Sequence, residues 1–276
     1  MKIYTDNINN HTIEELIPMV HEDRVKAAMK YRFEADRKRS LLAHALLNSA
    51  VKEKYPDIIL PVMPVTDKFG KPHLYITANP SDPVRVIDSS YIPDIPASTD
   101  VFEHNGKIYR EVYFSVSHSG DYAVCALDDH PVGIDIEVIG KESRNIAERF
   151  FARDELDYIT DTGSFYHIWT LKESFMKVVG LGMRLPMDAF SVTCYDTVSG
   201  CCGFSFNGTG IRSSDASYND IMNNMRPFMK AGKDELIICG KSISFAEGYS
   251  LAVAAKEQWD GSVVAGLLHS SPSHCI

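Results

Sequence analysis

Gly133-Ile134-Asp135-Ile136-Glu137 alternates apolar and acidic residues with the period of a β-strand. In a strand, Ile134 and Ile136 enter a core from one face. Asp135 and Glu137 stand on the other, roughly 6–7 Å apart. Two ionised carboxylates at that spacing repel by about 2–3 kcal/mol at an effective dielectric of about 20. A bound cation converts the repulsion into affinity. A wet sheet edge screens it away, and for this pair alone the wet edge is the commoner case. Downstream, Trp169-Thr170-Leu171-Lys172-Glu173-Ser174-Phe175-Met176-Lys177 has the other period. Trp169, Glu173 and Lys177 share one helix face, while Ile168, Leu171, Phe175 and Val178 form the core face. A surface Glu173–Lys177 ion pair, worth a few tenths of a kcal/mol, is the plain alternative. It leaves the Trp on the same stripe, and the Gly-x-Gly beyond the helix, unaccounted for. Three carboxylates and a lysine together point to a hard divalent cation and phosphate chemistry.

The chain around these stretches has 276 residues, 45% hydrophobic and 24% charged, enough for one large domain or two moderate ones. A net charge of −9 argues against nucleic acid as a partner. An anionic ligand then needs a local basic cluster. The polar stretch Met1–Asn10 has no apolar signal region, and no run is long enough to span a bilayer. The six cysteines, among them the adjacent pair Cys201-Cys202, form no C-x-x-C. A zinc cluster or disulfide framework is therefore not expected, and a cytoplasmic protein with reduced thiols is.

Thr12-Ile13-Glu14-Glu15 reads as a capping box. A helix is expected from about Glu34 to Tyr55, stopped by Pro56, with Leu42, Ala45, Leu46 and Ser49 as its stripe. Its front end is basic (Arg32, Arg37, Lys38, Arg39), preceded by Arg24, Lys26 and Lys30. Alone, such a run reads as a solvated face. Phe69-Gly70-Lys71-Pro72 turns into a strand over residues 73–77. Residues from about 79 to 109 resemble an inserted loop with a hairpin at Asn105-Gly106. Strands are expected at 111–116, 122–127 and 132–138, then helices over 145–160 and 163–179, the second ended by Gly180 and Gly182. After a strand at 190–195, residues 196–234 show little pattern. Strands follow at 235–239, 242–245 and 249–255, and a loose tail covers 269–276. Ser119–Leu127 echoes Glu247–Ala255, suggesting two similar α+β halves joined near residue 121.

Phe114-Ser115-Val116-Ser117-His118-Ser119-Gly120 adds hydroxyls around a histidine, which can bind phosphate or be merely a turn with an exposed His. There is no G-x-S-x-G, Walker A or G-x-G-x-x-G.

In combination, G-I-D-I-E, F-x-x-x-E at Phe151–Glu155 and W-x-x-K-E-S-x-x-K at Trp169–Lys177 resemble the signature of the 4′-phosphopantetheinyl transferases, in their Sfp class. Gly70-Lys71-Pro72 and Ser117-His118-Ser119-Gly120 match the same class. The resemblance covers about residues 22 to 195 and, more faintly, the strands to about 255. It implies an α+β pseudodimer: two similar halves in one chain, each a small antiparallel sheet packed with a long helix. Residues 1–121 form the cofactor-adenosine half and 122–268 the metal and phosphate half, with 269–276 as tail. The implied activity moves phosphopantetheine from coenzyme A to a serine of an apo acyl or peptidyl carrier protein, releasing adenosine 3′,5′-bisphosphate. Carried over, Asp135, Glu137 and Glu173 hold Mg²⁺. Lys177 contacts the phosphate, with Lys172 as a possible helper. Glu173 takes the serine proton, and Glu155 supports the site. Arg24, Arg39, Lys71, Ser117 and His118, with Lys177, bind coenzyme A. The resemblance also implies a monomer. The stretches 79–109 and 200–233 are longer than the family pattern, and the basic spacing in Arg24–Lys30 departs from it. Two alternatives remain open: another Mg²⁺-dependent phosphotransferase or phosphohydrolase, and a non-catalytic module binding coenzyme A or a carrier.

Overall fold

A computed structural model describes residues 1–79, 83–87, 101–141, 144–215, 217–231, 234–256 and 263–265. The fold is α+β, built on two sheets. The first joins β1 (Lys2–Asn7), β2 (Val65–Thr66), β3 (Pro72–Thr77), β4 (Val101–His104), β5 (Lys107–Ser119) and β6 (Tyr122–Asp128) in the order β1-β6-β5-β3-β2, with β4 also on β5. The second joins β7 (Val132–Val138), β8 (Phe190–Thr193), β9 (Cys201–Phe206), β10 (Glu235–Ile243) and β11 (Tyr249–Ala255) in the order β7-β11-β10-β9-β8. All these pairings are antiparallel. The late strand β12 (Val263–Ala265) returns to lie parallel on the outer side of β1.

Alternation along the strands builds four layers. Tyr4, Ala123 and Cys125 face α3 (Glu34–Lys54), which buries Leu41, Leu42 and Leu46. This helix follows two short ones, α1 (Ile13–Leu16) and α2 (Glu22–Ala28). Ile3, Val124 and Ala126 point the other way, against Ile134, Ile136, Leu251 and Val253 of the second sheet. The far face of that sheet, with Phe204, Ala252 and Ala254, meets Ile168, Leu171 and Phe175 of α5 (Thr162–Val179). The order is therefore helix, sheet, sheet, helix. Each buried Leu, Ile or Phe contributes about 1.5–3 kcal/mol, so the helices are held by their buried faces more than by propensity. The Asp161 side chain caps α5 at its start, and Gly180, at φ 82°, ends it in the left-handed conformation.

Several sequence expectations change here. The helix expected over 145–160 is α4 (Arg144–Phe150) followed by a 3₁₀ turn, Arg153–Tyr158. Glu155 turns inward and takes the N–H of Ala152 (2.9 Å) and of Val192 (2.7 Å), which breaks the run. The poorly patterned stretch contains β9, with Cys202, Phe204 and Phe206 inward, and α6 (Tyr218–Met225). The hairpin at Asn105-Gly106 is present, both residues at positive φ (50° and 72°). Much of the remaining insertion, and the tail 269–276, lies outside the described residues. The boundary expected at 121/122 divides the β5–β6 hairpin. Because β6 serves the first core through Ala123 and Cys125, the chain changes sheets at Asp129–Pro131. Among the described residues no helix is long and apolar enough to cross a membrane.

At Gly133 the second sheet and its helix come too close to leave room for a side chain. A Cβ there would lie 1.9 Å from the carbonyl oxygen of Ser174, a backbone atom that cannot step aside. Gly133→Ala is expected to destabilise the fold by at least about 2 kcal/mol. Calorimetry checks it, since a Tm equal to that of the wild type is incompatible with this contact.

Candidate active site

β7 is the edge of its sheet, so its outward N–H groups need partners. Side-chain hydroxyls supply them. Ile134 N–H donates to Ser115 Oγ (3.1 Å), Ile136 N–H to Ser117 Oγ (3.4 Å) and Val138 N–H to Ser119 Oγ (3.1 Å). The three serines alternate along β5, so they share one face. Two of them also donate, Ser117 Oγ to Asp135 Oδ1 (2.8 Å) and Ser119 Oγ to Glu137 Oε2 (2.9 Å). The seam that joins the sheets therefore also aims the two acids.

Lys177 crosses the same seam. Its ammonium donates to Asp135 Oδ1 (2.7 Å), to the Ile134 carbonyl (2.9 Å) and to the Val116 carbonyl (3.4 Å). Glu173 lies one helical turn earlier. Burial, then the charges of Asp135 and Glu137, push its carboxyl up to about 7, with Lys177 opposing. Burial and Asp135 also raise Glu137, against Ser119 and Lys177. Asp135 is almost fully buried, and its Oδ2 has no hydrogen-bond partner. Three acids thus outweigh one ammonium, and a buried carboxylate oxygen is left over. An all-oxygen donor set with surplus negative charge suits a hard divalent cation. Among the described residues the acids do not already close into a metal-binding cluster. The fit rests instead on the unpartnered oxygen and the mutual repulsion.

The basic residues lie along α2, α3 and the end of β5. Arg39 donates to the Gly120 carbonyl and to Asp36 Oδ1, which places it beside the last serine of the seam. Crowding by surrounding protein, then the charges of Arg39 and Lys177, holds His118 below its ordinary value. His44, on α3, is pulled down to about 3 by burial, then by Arg24 and His118. Neither ring nitrogen of His44 has a partner, nor has Arg24 Nε. Sequence reading missed His44. The signal available was one polar ring inside the apolar run Leu41-Leu42-Ala43-His44-Ala45-Leu46-Leu47.

Lys71 stands apart from this group. Its ammonium donates to the Val178 carbonyl (2.8 Å) in the last turn of α5, where a cation complements the helix dipole. Glu155 and Lys172 form a fully buried pair. Lys172 Nζ lies 2.7 Å from both Glu155 oxygens and 2.8 Å from the Phe190 carbonyl. Trp169 packs with Phe151 and Phe165.

A family model described as "4′-phosphopantetheinyl transferase superfamily" matches residues 131–218. This span holds both acids of β7 and all of α5. The 4′-phosphopantetheinyl transferase Sfp of Bacillus subtilis is 30% identical over 197 residues, covering 69% of this chain and 74% of that protein. The chain belongs to the 4′-phosphopantetheinyl transferase superfamily. The 4′-phosphopantetheinyl transferase psf-1 of Bacillus pumilus is 32% identical over 65% of this chain and 66% of its own. That named gsp, from Aneurinibacillus migulanus, is 38% identical over 35% of this chain and 45% of its own.

Glu173 is raised from 4.5 to about 7, so between those values the folded chain keeps a proton that the unfolded chain has released. Stability therefore falls as pH rises through that window. Glu173→Gln is expected to be about 1–3 kcal/mol more stable than wild type at about pH 8, with the gain disappearing by about pH 4.5. Urea unfolding in the presence of a chelator measures this, and a gain independent of pH contradicts the assignment.

Proposed function

We propose that this phosphopantetheinyl transferase moves the 4′-phosphopantetheine group from coenzyme A to a serine of an apo acyl or peptidyl carrier protein, releasing adenosine 3′,5′-bisphosphate. The observation that carries the reading is the meeting of Asp135, Glu137, Glu173 and Lys177 at the seam, in a chain of this family.

Asp135, Glu137 and Glu173 would hold Mg²⁺, and the orphaned Asp135 oxygen supports this. When bound, the cation would offset charge on the coenzyme A pyrophosphate. The Lys177 ammonium would contact the departing phosphate. A carboxyl raised to about 7 makes Glu173 suited to take the serine proton near neutral pH. Glu155, locked to Lys172, would support the site by holding the inner side of α5. Arg24, Arg39, Ser117 and His118 would bind coenzyme A, and Lys71, whose ammonium is taken up by the Val178 carbonyl, would contribute through its backbone or stem. We add His44 to that set, because its unpartnered nitrogens lie within the field of Arg24 and His118.

We read the chain as two related halves that meet at 129–131. Matched strand orders, β1-β6-β5-β3-β2 and β7-β11-β10-β9-β8, support a duplication, as do Gly120 and Gly248, both at positive φ before equivalent strands. We further propose a cytoplasmic monomer whose partners are carrier proteins, with no nucleic acid or membrane among them.

Incubation with coenzyme A, Mg²⁺ and an apo carrier is expected to give a carrier heavier by the phosphopantetheinyl mass. Phosphate release without that gain would instead indicate a phosphohydrolase. Asp135→Ala and Lys177→Ala are each expected to lower turnover about 100-fold or more while the protein stays folded. Arg39→Ala should raise KM for coenzyme A more than for 3′-dephospho-coenzyme A. Equal effects on both would place Arg39 away from the 3′-phosphate.

A further inference from the structure

The turn Asp67-Lys68-Phe69-Gly70-Lys71 is folded around one carboxylate. Asp67 Oδ1 accepts the N–H of Phe69 (2.8 Å) and of Lys71 (2.9 Å), and Gly70 takes φ 94°. The other oxygen, Oδ2, faces His73 Nε2 at 3.2 Å. The remaining ring nitrogen, His73 Nδ1, lies 2.6 Å from Glu111 Oε1 on β5. His73 also stacks on Tyr75, with ring centroids 5.9 Å apart. All three members of this relay are largely buried.

The turn reaches across to the second sheet's side of the molecule. Lys71 Nζ donates to the Val178 carbonyl, Arg184 Nη1 to the Phe69 carbonyl (2.9 Å), and Lys68 Nζ to Asp220 Oδ1 (2.9 Å). The Lys71 stem lies so close to Gly180 that a Cβ there would be 2.6 Å from Lys71 Cδ. Val178 follows Lys177 directly. An unbroken relay thus runs from Glu111 through His73, Asp67 and Lys71 to the end of the helix that carries Glu173 and Lys177.

We propose that His73 is a positioning residue: bonded on both sides, to Asp67 and to Glu111, it fixes the Asp67–Lys71 turn as a strap on the end of α5 and so sets where Lys177 meets the acids of β7. A neutral imidazole has one N–H and can satisfy only one of its two carboxylates, whereas the imidazolium donates to both. The charged groups facing the ring are Asp67 in the turn, Glu111 on β5 and Lys71 at the turn's end. Burial works against the charge, and so does Lys71, yet Asp67 and Glu111 hold His73 above its ordinary value. Deprotonation at higher pH sets one ring nitrogen lone pair against a carboxylate and slackens the strap.

The kinetic part of this inference rests on the transferase reading. In wild type, kcat should show an alkaline limb above the ordinary histidine range. His73→Phe, which keeps a ring over Tyr75, should lose that limb and lower kcat about 10-fold, with a smaller change in KM for the carrier. Wild-type kcat with the limb intact in His73→Phe overturns the proposal. Should that variant not fold, Asp67→Asn is decisive. Its carbonyl still accepts from Phe69 and Lys71, and its amide can donate to an unprotonated His73, so the limb should disappear in a folded enzyme. A persisting limb overturns the proposal.

Two further measurements need no turnover. Nitrogen NMR at neutral pH should find both His73 ring nitrogens protonated. Amide exchange over 177–181 should speed up in His73→Phe, and unchanged protection overturns the strap. A chain that transfers nothing from coenzyme A would refute the function while leaving these two results to judge the strap.

Discussion

The exposed edge of β7 is the constraint that organises the molecule. A strand edge with unmet N–H groups either recruits another strand or must be covered. Here it is covered by Ser115, Ser117 and Ser119, projecting from β5 of the other sheet. Because a hydroxyl can accept and donate at once, the same atoms that satisfy the edge hold Asp135 and Glu137 in place. Sheet packing and the arrangement of the acids share one set of bonds. Lys177 extends the logic from the helix side, spanning carbonyls of both sheets while touching Asp135.

Charge is distributed by the same architecture. The chain is acidic overall, at −9, yet Arg24, Arg39 and Lys177 gather around the end of β5, beside His44, which burial and Arg24 keep neutral, and His118. The acids concentrate on β7 and α5, one layer away. Positive and negative fields thus meet at the seam itself, as the proposed binding of a phosphate-bearing substrate, partly by cationic side chains and partly through a metal, would require. The fully buried Lys172–Glu155 pair serves a different purpose. With every polar atom engaged, it ties α5 to β8 and to the 3₁₀ turn, where it has no access to a ligand.

Sequence periodicity was enough to read the main elements of the site. Gly133–Glu137 alternates strictly because one face meets a core and the other a helix, and Trp169–Lys177 keeps a helical period for the same reason. The partnerships that matter most left no such trace. A serine bonding a backbone N–H nineteen residues away has no period, and neither does a lysine paired with a glutamate seventeen residues upstream. β1 and β9 were missed because β1 ends in the polar Thr5-Asp6-Asn7 and β9 is interrupted by Gly203 and Ser205, although Cys202, Phe204 and Phe206 alternate inward. The expected boundary at residue 121 followed a real likeness between two glycine turns. That boundary runs through the β5–β6 hairpin, whose cross-strand bonds no repeat of sequence reveals.

The close approach at Gly133 has a mechanical meaning. Where a backbone carbonyl of α5 rests directly on the start of β7, with no side chain between them, strand and helix move as one solid piece. Asp135, Glu137 and Glu173 ride on that piece, whereas Lys177 lies almost a turn beyond the contact, where Lys71 holds the Val178 carbonyl. The serines ride on the other, and their bonds can part without breaking a backbone rung of either sheet. Parting of those bonds would therefore loosen the grip on Asp135 and Glu137, while the Ser174 contact keeps the start of β7 seated on α5.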